Sequence, residues 1–336
     1  MEAFTNYQKL YIACGAHFTS NSKFIKKLNY FILINVLTFV TEKLIKDLIS
    51  WHMNQLFILI VWCYFYYDRF MNQPTKQSFM SSLKKLSHTD PRITRIATKY
   101  RVVIGLNLIY TIFGNFIYYN YDLIMTFKPF LMENISNGWK MLYYVWFSIC
   151  FIISHQIVVL MIFEYLLIFN VLTNLKMSLI LTNTTPSNAI IFKWRQICAL
   201  SDEFESIYSM APFFKITNSF IGAIMFIVNC YIEKEPIDIR IKASLFYFVI
   251  HLMIDFYVLH VIDRSNTSLK KSADEMLQKC AFRNDDMLEK FANEVNQSYR
   301  FNLTGFKLFA LEKSLVIGFG ASLISFTVLF IQISTM

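Results

Sequence analysis

The stretch SFTVLFIQISTM, residues 325–336, closes a long apolar segment at the end of the sequence. No charged residue lies between Leu315 and Ile331, and the polar Gln332 follows at once. Moving an amide side chain into hydrocarbon costs free energy unless it finds a hydrogen-bond partner or water. The segment is long and apolar enough to predict a membrane-spanning helix, and Gln332 needs polar contacts near the end of that helix.

The composition indicates a membrane protein. Of the 336 residues, 55% are hydrophobic and 16% are charged, and the mean hydropathy is +0.41. Soluble domains are about one quarter charged. The net charge of +9 is then explained by basic residues on the cytoplasmic side of a membrane protein. Nucleic-acid binding is disfavoured, because no basic patch lies within a soluble fold.

The hydropathy pattern contains seven apolar segments. A helix needs about 20 residues to cross the hydrocarbon of a bilayer. The segments, numbered 1 to 7 in chain order, are 30–40, 54–67, 102–119, 141–169, 213–232, 243–262 and 315–334. Segments 1 and 2 are the weakest, because the first is short and the second reaches full length only with its polar flanks. The sequence therefore predicts an all-α membrane protein with seven transmembrane helices.

The distribution of Lys and Arg predicts the orientation of these helices. Seven crossings place the two termini on opposite sides of the membrane. The segments that share a side with the N-terminus carry 24 Lys and Arg residues, and the other three loops carry 7. Because short cytoplasmic loops are rich in basic residues, we expect a cytoplasmic N-terminus and an extracellular C-terminus. The sequon at Asn134 then lies outside the cell and is a candidate glycosylation site.

The connections on the predicted cytoplasmic side are long. Segment 4 stays apolar for more residues than a bilayer needs, and we expect its helix to continue through residues 171–180. Residues 265–299 are charged but carry apolar residues at helical spacing, which predicts amphipathic helix. These residues are Leu269, Ala273, Met276, Leu277 and Cys280. The periodicity leaves two interpretations open, a solvated helical loop and a cytoplasmic platform for assembly.

Ionisable residues in segment 6 are the first candidates for chemistry. His251 and Asp255 are four residues apart, on one face of a helix, and ionisable residues at membrane depth are often functional. His260 follows in the same segment, and His155 in segment 4 could supply a third ligand. Two residues on one helix make a weak metal signature. We therefore favour a hydrogen-bonded polar pair within the bundle over a metal or catalytic site.

The motifs of common enzymes and metal sites are missing from the sequence. It contains no C-x-x-C, G-x-S-x-G, Walker or HExxH pattern. We therefore predict neither an enzyme nor a bound metal or cofactor, with an intramembrane acyltransferase using His251 as the enzymatic alternative. Glu164 and Asp263 lie near the cytoplasmic ends of their segments. We interpret both as structural partners of the basic loops.

A G-protein-coupled receptor is the obvious seven-helix alternative. Residues 67–70 read YDRF, which resembles the acidic-Arg-aromatic motif of that class. That motif belongs after the third helix, whereas this one follows the second. The last segment lacks N-P-x-x-Y, and the basic residues place the N-terminus inside, the reverse of such receptors. These three points exclude the class.

The predicted helix directions define a candidate ligand pocket. Segments 2, 4 and 6 run inward and segments 3 and 5 run outward, so that six aromatic or polar residues fall in the outer halves of the bundle. They are Tyr118, Tyr143, Phe147, Asn229, Tyr247 and His251. Aromatic walls with a few polar groups suit a small organic ligand. Ordinary packing within the bundle is the alternative for each residue taken singly.

One face of segment 7 is a candidate pore lining. Leu329, Gln332 and Ile333 are related by i, i+3 and i+4, and they therefore share a helix face. The periodicity leaves two interpretations of Gln332 open. It extends to the nearby membrane interface, or it faces a symmetry axis at which several copies form a ring of amides.

The end of the sequence resembles the insect gustatory receptor family. The last helix of that family ends in Thr-Tyr, five apolar residues and Gln-Phe. Here Ser325-Phe326 stands for Thr-Tyr, residues 327–331 are the five, and Gln332-Ile333 stands for Gln-Phe. Gly305-Phe306 and Glu312 also resemble the family's approach to this helix. The specific likeness covers about the last thirty residues, and the seven-segment plan fits the whole chain.

The resemblance implies a ligand-gated, non-selective cation channel in the plasma membrane. Such receptors are tetramers, formed with identical or related subunits, and they bind small organic tastants in an outward-facing pocket. The last helix of each subunit lines the pore, and the family's constriction falls on Leu329, Gln332 and Ile333. Helical parts on the cytoplasmic side form the main contact between subunits, which favours the platform interpretation of residues 265–313 and of the connection between segments 4 and 5.

The expected organisation has four parts. They are a cytoplasmic segment 1–29, a transmembrane bundle 30–262 with the pocket, an anchor region 263–313 and a pore-lining helix 314–336. Membrane lipid is expected around the bundle. Two alternatives remain: an accessory or receptor-like membrane protein of the same fold without tastant gating, and a small-molecule transporter. Transporters often carry internal repeats, and none is found in this sequence.

Overall fold

Helices make up most of the chain that the structure, a computed structural model, describes. The described residues are 9, 23–50, 53–86, 100, 102, 105–106, 109, 137–181, 187–232, 239–282, 286–305 and 308–335. Two short strands lie between the last two helices. The elements are α1 (Lys23–Ser50), α2 (Met53–Leu86), α3 (Asn137–Ile180), α4 (Asn188–Tyr208), α5 (Met210–Ile232), α6 (Ile239–Phe282), α7 (Asp286–Ser298), β1 (Thr304–Gly305), β2 (Phe309–Ala310) and α8 (Lys313–Thr335).

The long helix α3 is the centre of the bundle. It contacts α1, α2, α4, α5 and α6. Its residues 156–169 are all buried, which is the pattern of a helix that is apolar on every side. The helix continues to Ile180, as predicted from the apolar run beyond segment 4.

Helices α1 and α2 extend beyond the apolar segments that predict them. Segment 1 covers 30–40 and segment 2 covers 54–67, whereas the helices end at Ser50 and Leu86. In α2 the buried positions after the apolar segment recur at helical spacing, at Gln73, Lys76, Phe79 and Leu83. Hydropathy misses this face because half of these side chains are polar. In segment 3 the described residues 102, 105, 106 and 109 are helical, and its other residues lie outside the described part of the chain.

The amphipathic prediction for residues 265–299 is confirmed. Helix α6 runs without a break from segment 6 to Phe282, and α7 follows it. Leu269, Ala273 and Met276 are buried on one face of α6, as the spacing predicts. Leu277 packs at the edge of this face, and the side chain of Cys280 lies outside the described residues. The buried face of α7 consists of Phe291, Ala292 and Val295.

Helix α4 and the hairpin were not predicted from the sequence. The inner face of α4 carries buried residues every three or four positions, among them Ile191, Trp194, Ile197 and Phe204. This periodicity is a usable helix signal in a stretch that is too polar for a hydropathy search. The strands form one antiparallel hairpin, in which Thr304 pairs with Ala310 and Gly305 with Phe309.

Helix α8 follows the hairpin and packs against α5 and α6. The rings of Phe220 on α5 and Phe319 on α8 meet edge to face, with their centroids 4.6 Å apart. Within the described residues, the stretch Gln156–Ile180 of α3 is long and apolar enough to cross a membrane, and Ile317–Leu329 of α8 is a shorter apolar stretch. The α3 stretch is almost entirely enclosed by the rest of the bundle.

Candidate functional site

The predicted pore residues lie on an exposed surface of α8. The side chain of Leu329 is 56% exposed, and Gln332, one turn later, is exposed as well. Of the motif residues, Ser325 is exposed and Phe326 is half-buried. The side chain of Ile333 lies outside the described residues, although its backbone belongs to α8. The fold therefore leaves Leu329 and Gln332 uncovered by their own chain, and the role of the three residues in a pore stays a prediction.

The exposed surface of α8 is apolar over most of its length. Its exposed large side chains are Ile317, Ile324, Val328, Leu329 and Ile331. A Cβ atom added at Gly318 or Gly320 would meet no atom of the chain within 4 Å. An apolar helix surface of this kind is not stable in water, so that lipid or another copy of the helix must cover it.

The structure describes one side chain of the predicted ligand pocket. His251 is 4% exposed, and its backbone carbonyl accepts a hydrogen bond of 3.3 Å from Lys215 Nζ. Tyr143 lies on α3 and Tyr247 on α6, but their side chains are outside the described residues. The side chains of Phe147 on α3 and Asn229 on α5 are outside the described residues as well. For Tyr118 and the sequon residue Asn134 this is true of the whole residue. The pocket therefore remains a prediction.

Asp255 forms a buried ion pair with Lys215, which joins α6 to α5. Lys215 Nζ lies 2.7 Å from Asp255 Oδ1 and donates a second bond, of 2.9 Å, to Ser219 Oγ. Asp255 therefore pairs with Lys215 and not, as predicted, with His251. Lys215 lies near the start of segment 5, and nothing in the sequence indicates this contact. Among the described residues no group of three or more His, Cys, Asp and Glu side chains could hold a metal ion.

Four charged side chains form a second buried group, called here the charge cluster: Asp68, Arg69, Lys76 and Glu164. Arg69 on α2 lies 3.2 Å from Glu164 on α3, and Asp68 pairs with Lys76 along α2. The cluster contains two positive and two negative groups. Removing one partner of a buried pair leaves an uncompensated charge in a medium of low polarity. Glu164 thus has the structural role that the sequence predicts, but its basic partner Arg69 lies on α2 and not in a loop.

The charge cluster contains Asp68 and Arg69, which belong to the sequence YDRF that resembles a receptor motif. Asp68 and Arg69 are the two central residues of this motif, and their side chains are buried in the bundle. Asn72 donates a hydrogen bond of 2.8 Å to Asp68. Lys76 Nζ lies 5.0 Å from the centre of the Tyr208 ring, at the end of α4. The motif therefore connects α2 to α3 through Arg69, and Lys76, the partner of Asp68, contacts the end of α4.

A second junction joins α3 and α4 to the end of α7 and to the residues that follow it. Lys176 Nζ donates to the carbonyl oxygens of Ser298, at 2.9 Å, and Tyr299, at 3.4 Å. The same ammonium lies 4.1 Å from the centre of the Phe301 ring, a favourable cation–π distance. Trp194 Nε1 donates to Ser298 Oγ at 2.9 Å. The predicted anchor region is thus packed against the end of α3 and against α4.

On the surface of this junction Arg195 and Glu294 form an ion pair between α4 and α7. Arg195 Nε lies 3.0 Å from Glu294 Oε2, and a second contact joins the other nitrogen and oxygen. Hydrogen bonding from the guanidinium lowers the pKa of Glu294 below its usual range, and its charge adds to this effect.

Glu205 on α4 holds the first strand of the hairpin. Its Oε1 accepts a hydrogen bond of 2.9 Å from the backbone N–H of Thr304 and another from the Thr304 hydroxyl. A cavity of about 990 Å³ opens beside this contact, between α4 and residues 296–303. No local pattern in the sequence could reveal the pair, because 99 residues separate its members.

The described helices form an all-α bundle around buried charges, which agrees with the predicted fold class. No family model and no curated protein matches the chain. Among solved structures, it matches the insect olfactory receptor OR5 from Machilis hrabei and the same receptor in complex with eugenol. Each match has a TM-score of 0.70 at 12% identity and covers 98% of this chain and 97% of that chain.

The chain therefore has the fold of an insect olfactory receptor over nearly its whole length. This agrees with the resemblance to insect chemoreceptors that rests on the last helix. Both matched structures are those of an olfactory receptor, and the expectation that the chain is not an enzyme stays a prediction.

Proposed function

We propose that the chain is a subunit of a ligand-gated, non-selective cation channel of the insect chemoreceptor type, located in the plasma membrane. The observation that carries the proposal is the exposed apolar surface of α8 in a chain with this fold. A single chain leaves Leu329 and Gln332 uncovered. Assembly of four copies around an axis would bring these residues together and would cover them.

The pore is proposed to be narrowest at Leu329, Gln332 and Ile333. Four amides at the same level can bond to one another and to water or a partly hydrated cation. Apolar rings from Leu329 and Ile333 on either side would close the pore by excluding water. Side-chain amides carry no net charge, which suits a channel that selects poorly among cations. Four identical copies satisfy this arrangement, and so do copies mixed with related receptors.

The orientation follows from the basic residues. With 24 Lys and Arg residues on one side against 7 on the other, the N-terminus and the anchor region 263–313 are cytoplasmic. The bundle 30–262 then lies in the membrane in contact with lipid, and residues 314–336 form the pore helix. Residues 1–29 form a cytoplasmic N-terminal segment, and the sequon at Asn134 lies outside the cell.

A small organic molecule is the proposed ligand. The matched receptor is also known in a complex with eugenol, a small aromatic molecule. The aromatic residues predicted for the outer half of the bundle, among them Tyr143 and Tyr247, suit a ligand of this kind. The motif around Gln332 favours a gustatory-type receptor, and hence a tastant, over an olfactory one.

Expression in a cell line that lacks insect receptors tests the proposal. Cells that carry the chain at their surface are exposed to eugenol and to a panel of small phenols, sugars and alkaloids while whole-cell current is recorded. We expect an inward cation current for at least one compound, and none in cells that do not express the chain. A surface-exposed chain that passes no current with any compound, alone or with a related receptor, would favour an accessory protein of the same fold.

A further inference from the structure

The last turn of α4 contacts the helical bundle on one side and the hairpin on the other. Tyr208 and Phe204 pack against each other with ring centroids 5.4 Å apart, and Phe204 also packs against Tyr165 of α3, at 4.9 Å. Lys76 of the charge cluster lies over the Tyr208 ring. The position of this turn is therefore set by α2 and α3.

Glu205 lies on the same turn and binds the hairpin. The two donors on its Oε1, the backbone N–H and the hydroxyl of Thr304, belong to the first residue of β1. Hydrogen bonds to a carboxylate are about twice as strong as those between neutral groups. The contact is partly buried, because Glu205 and Thr304 are both half-buried. It thus fixes β1 to α4 at one point with two bonds.

The hairpin passes this constraint on to α8. Beyond the paired strands, Leu311 N–H donates to Leu303 O at 3.0 Å, and the Arg300 guanidinium pairs with Glu312. Helix α8 begins at the next residue, Lys313. The residues directly before α8 are thus tied to residues 300–305.

We propose that Glu205 is a positioning residue for the pore: through Thr304 it fixes the hairpin, and hence the start of α8, to the bundle that carries the charge cluster. The inference rests on the proposed channel function, in which four copies of α8 form the constriction. Loss of the contact between Glu205 and Thr304 would make the first turn of α8 more mobile in every subunit. The constriction then closes less well, and cations leak without ligand.

Side-chain chemistry provides matched variants. Glu205→Gln keeps an oxygen that accepts from Thr304, whereas Glu205→Met keeps the approximate length and removes both oxygens. Asp202→Asn is the control, because Asp202 is exposed on the same helix and lines the same cavity. Thr304→Val removes only the hydroxyl bond and is the milder second variant, should Glu205→Met fail to reach the surface.

Two measurements are made on the full-length chain. Hydrogen exchange of the Thr304 amide reports on the contact itself, and ligand-free sodium current per surface copy reports on the pore. We expect Glu205→Met to speed exchange by about tenfold, as for loss of one strong hydrogen bond. We expect it to raise the leak by about fivefold or more, the usual lower range of coupling between sites. Thr304→Val should show smaller changes of the same sign, and Glu205→Gln and Asp202→Asn should remain near the wild type.

The outcomes separate the inference from the proposed function. Unchanged exchange in Glu205→Met would overturn the contact. Faster exchange with an unchanged leak, in a chain that conducts, would overturn the positioning role of Glu205. Equal changes in exchange and leak for Glu205→Gln and Glu205→Met would also overturn the positioning role, because the oxygen that Gln retains should preserve the contact with Thr304. Absence of current from every variant, including Leu329→Ala, would overturn the channel function, and the exchange data would still decide the contact.

Discussion

Arg69 and Glu164 form an ion pair of 3.2 Å that is buried between α2 and α3, with side-chain exposures of 6% and 9%. Arg69 belongs to a stretch that looks like a polar loop in the sequence, and Glu164 lies in the fully buried, largely apolar stretch 156–169 of α3. The pair therefore fixes the polar continuation of α2 against the centre of the bundle. It also accounts for an acidic residue in α3, which would otherwise be costly.

Removal of one partner of this pair should destabilise the chain strongly. Glu164→Gln leaves Arg69 as a buried charge without its carboxylate, at a cost of about 3–5 kcal/mol. The double variant Arg69→Met with Glu164→Leu should recover most of this loss, since it removes both charges. Thermal unfolding in detergent, with the exposed Glu203→Gln as control, measures the difference. Equal stability of the single variants and the wild type would contradict a buried pair.

The Lys215–Asp255 pair should behave in the same way and should need no metal. Asp255→Asn should lower stability because it leaves Lys215 charged and poorly compensated. Treatment with EDTA should change neither stability nor current. Exchange of the two residues, Lys215→Asp with Asp255→Lys, should recover part of the stability lost in the single variants. A loss of stability in EDTA would instead support a metal site at His251 and Asp255, the alternative considered from the sequence.

The surface pair Arg195–Glu294 should contribute stability that depends on pH. The folded pKa of Glu294 is lowered, so that the contribution is fully present above the unfolded value, about 4.3, and is lost as the pH falls through the folded value. The difference in Tm between the wild type and Arg195→Met should therefore be constant from pH 7 to about 5, should shrink as the pH falls below about 4.3, and should vanish once the pH is below the lowered pKa of folded Glu294. Lys193→Met is the control, and a difference that grows on acidification would contradict the pairing.

Much of the fold can be predicted from the sequence, because long apolar helices are recognised by their composition. Helices α3 and α8 are predicted closely for this reason. The inner faces of α2 and α4 are missed, because Asp68, Arg69 and Lys76 look like solvent-exposed residues until their partners are known. Contacts such as those of Asp255 with Lys215 and of Glu205 with Thr304 join distant parts of the chain. No single sequence contains the information that would pair them, whereas the exposed face of α8 is visible in its i, i+3 spacing.

Shortening Leu329 should open the proposed constriction. Leu329→Ala removes apolar atoms from each of four copies, so that water and cations pass more easily, and we expect a leak current without ligand. Ile324→Ala is the matched control, because Ile324 is also exposed on α8 but lies about 140° around the helix. Surface biotinylation gives the number of chains for each recording. A leak of the same size in both variants would mean that Leu329 does not face the pore.

The most direct test of a pore formed by α8 is the ion selectivity of channels altered at Gln332. Reversal potentials under sodium and chloride gradients are compared for the wild type, Gln332→Glu, Gln332→Lys and the conservative Gln332→Asn. A ring of four carboxylates should increase the preference for cations, four ammonium groups should reduce or reverse it, and Gln332→Asn should leave it unchanged. Identical reversal potentials in all four channels, with normal surface expression and currents, would contradict the pore and leave Gln332 as a polar residue at the membrane interface.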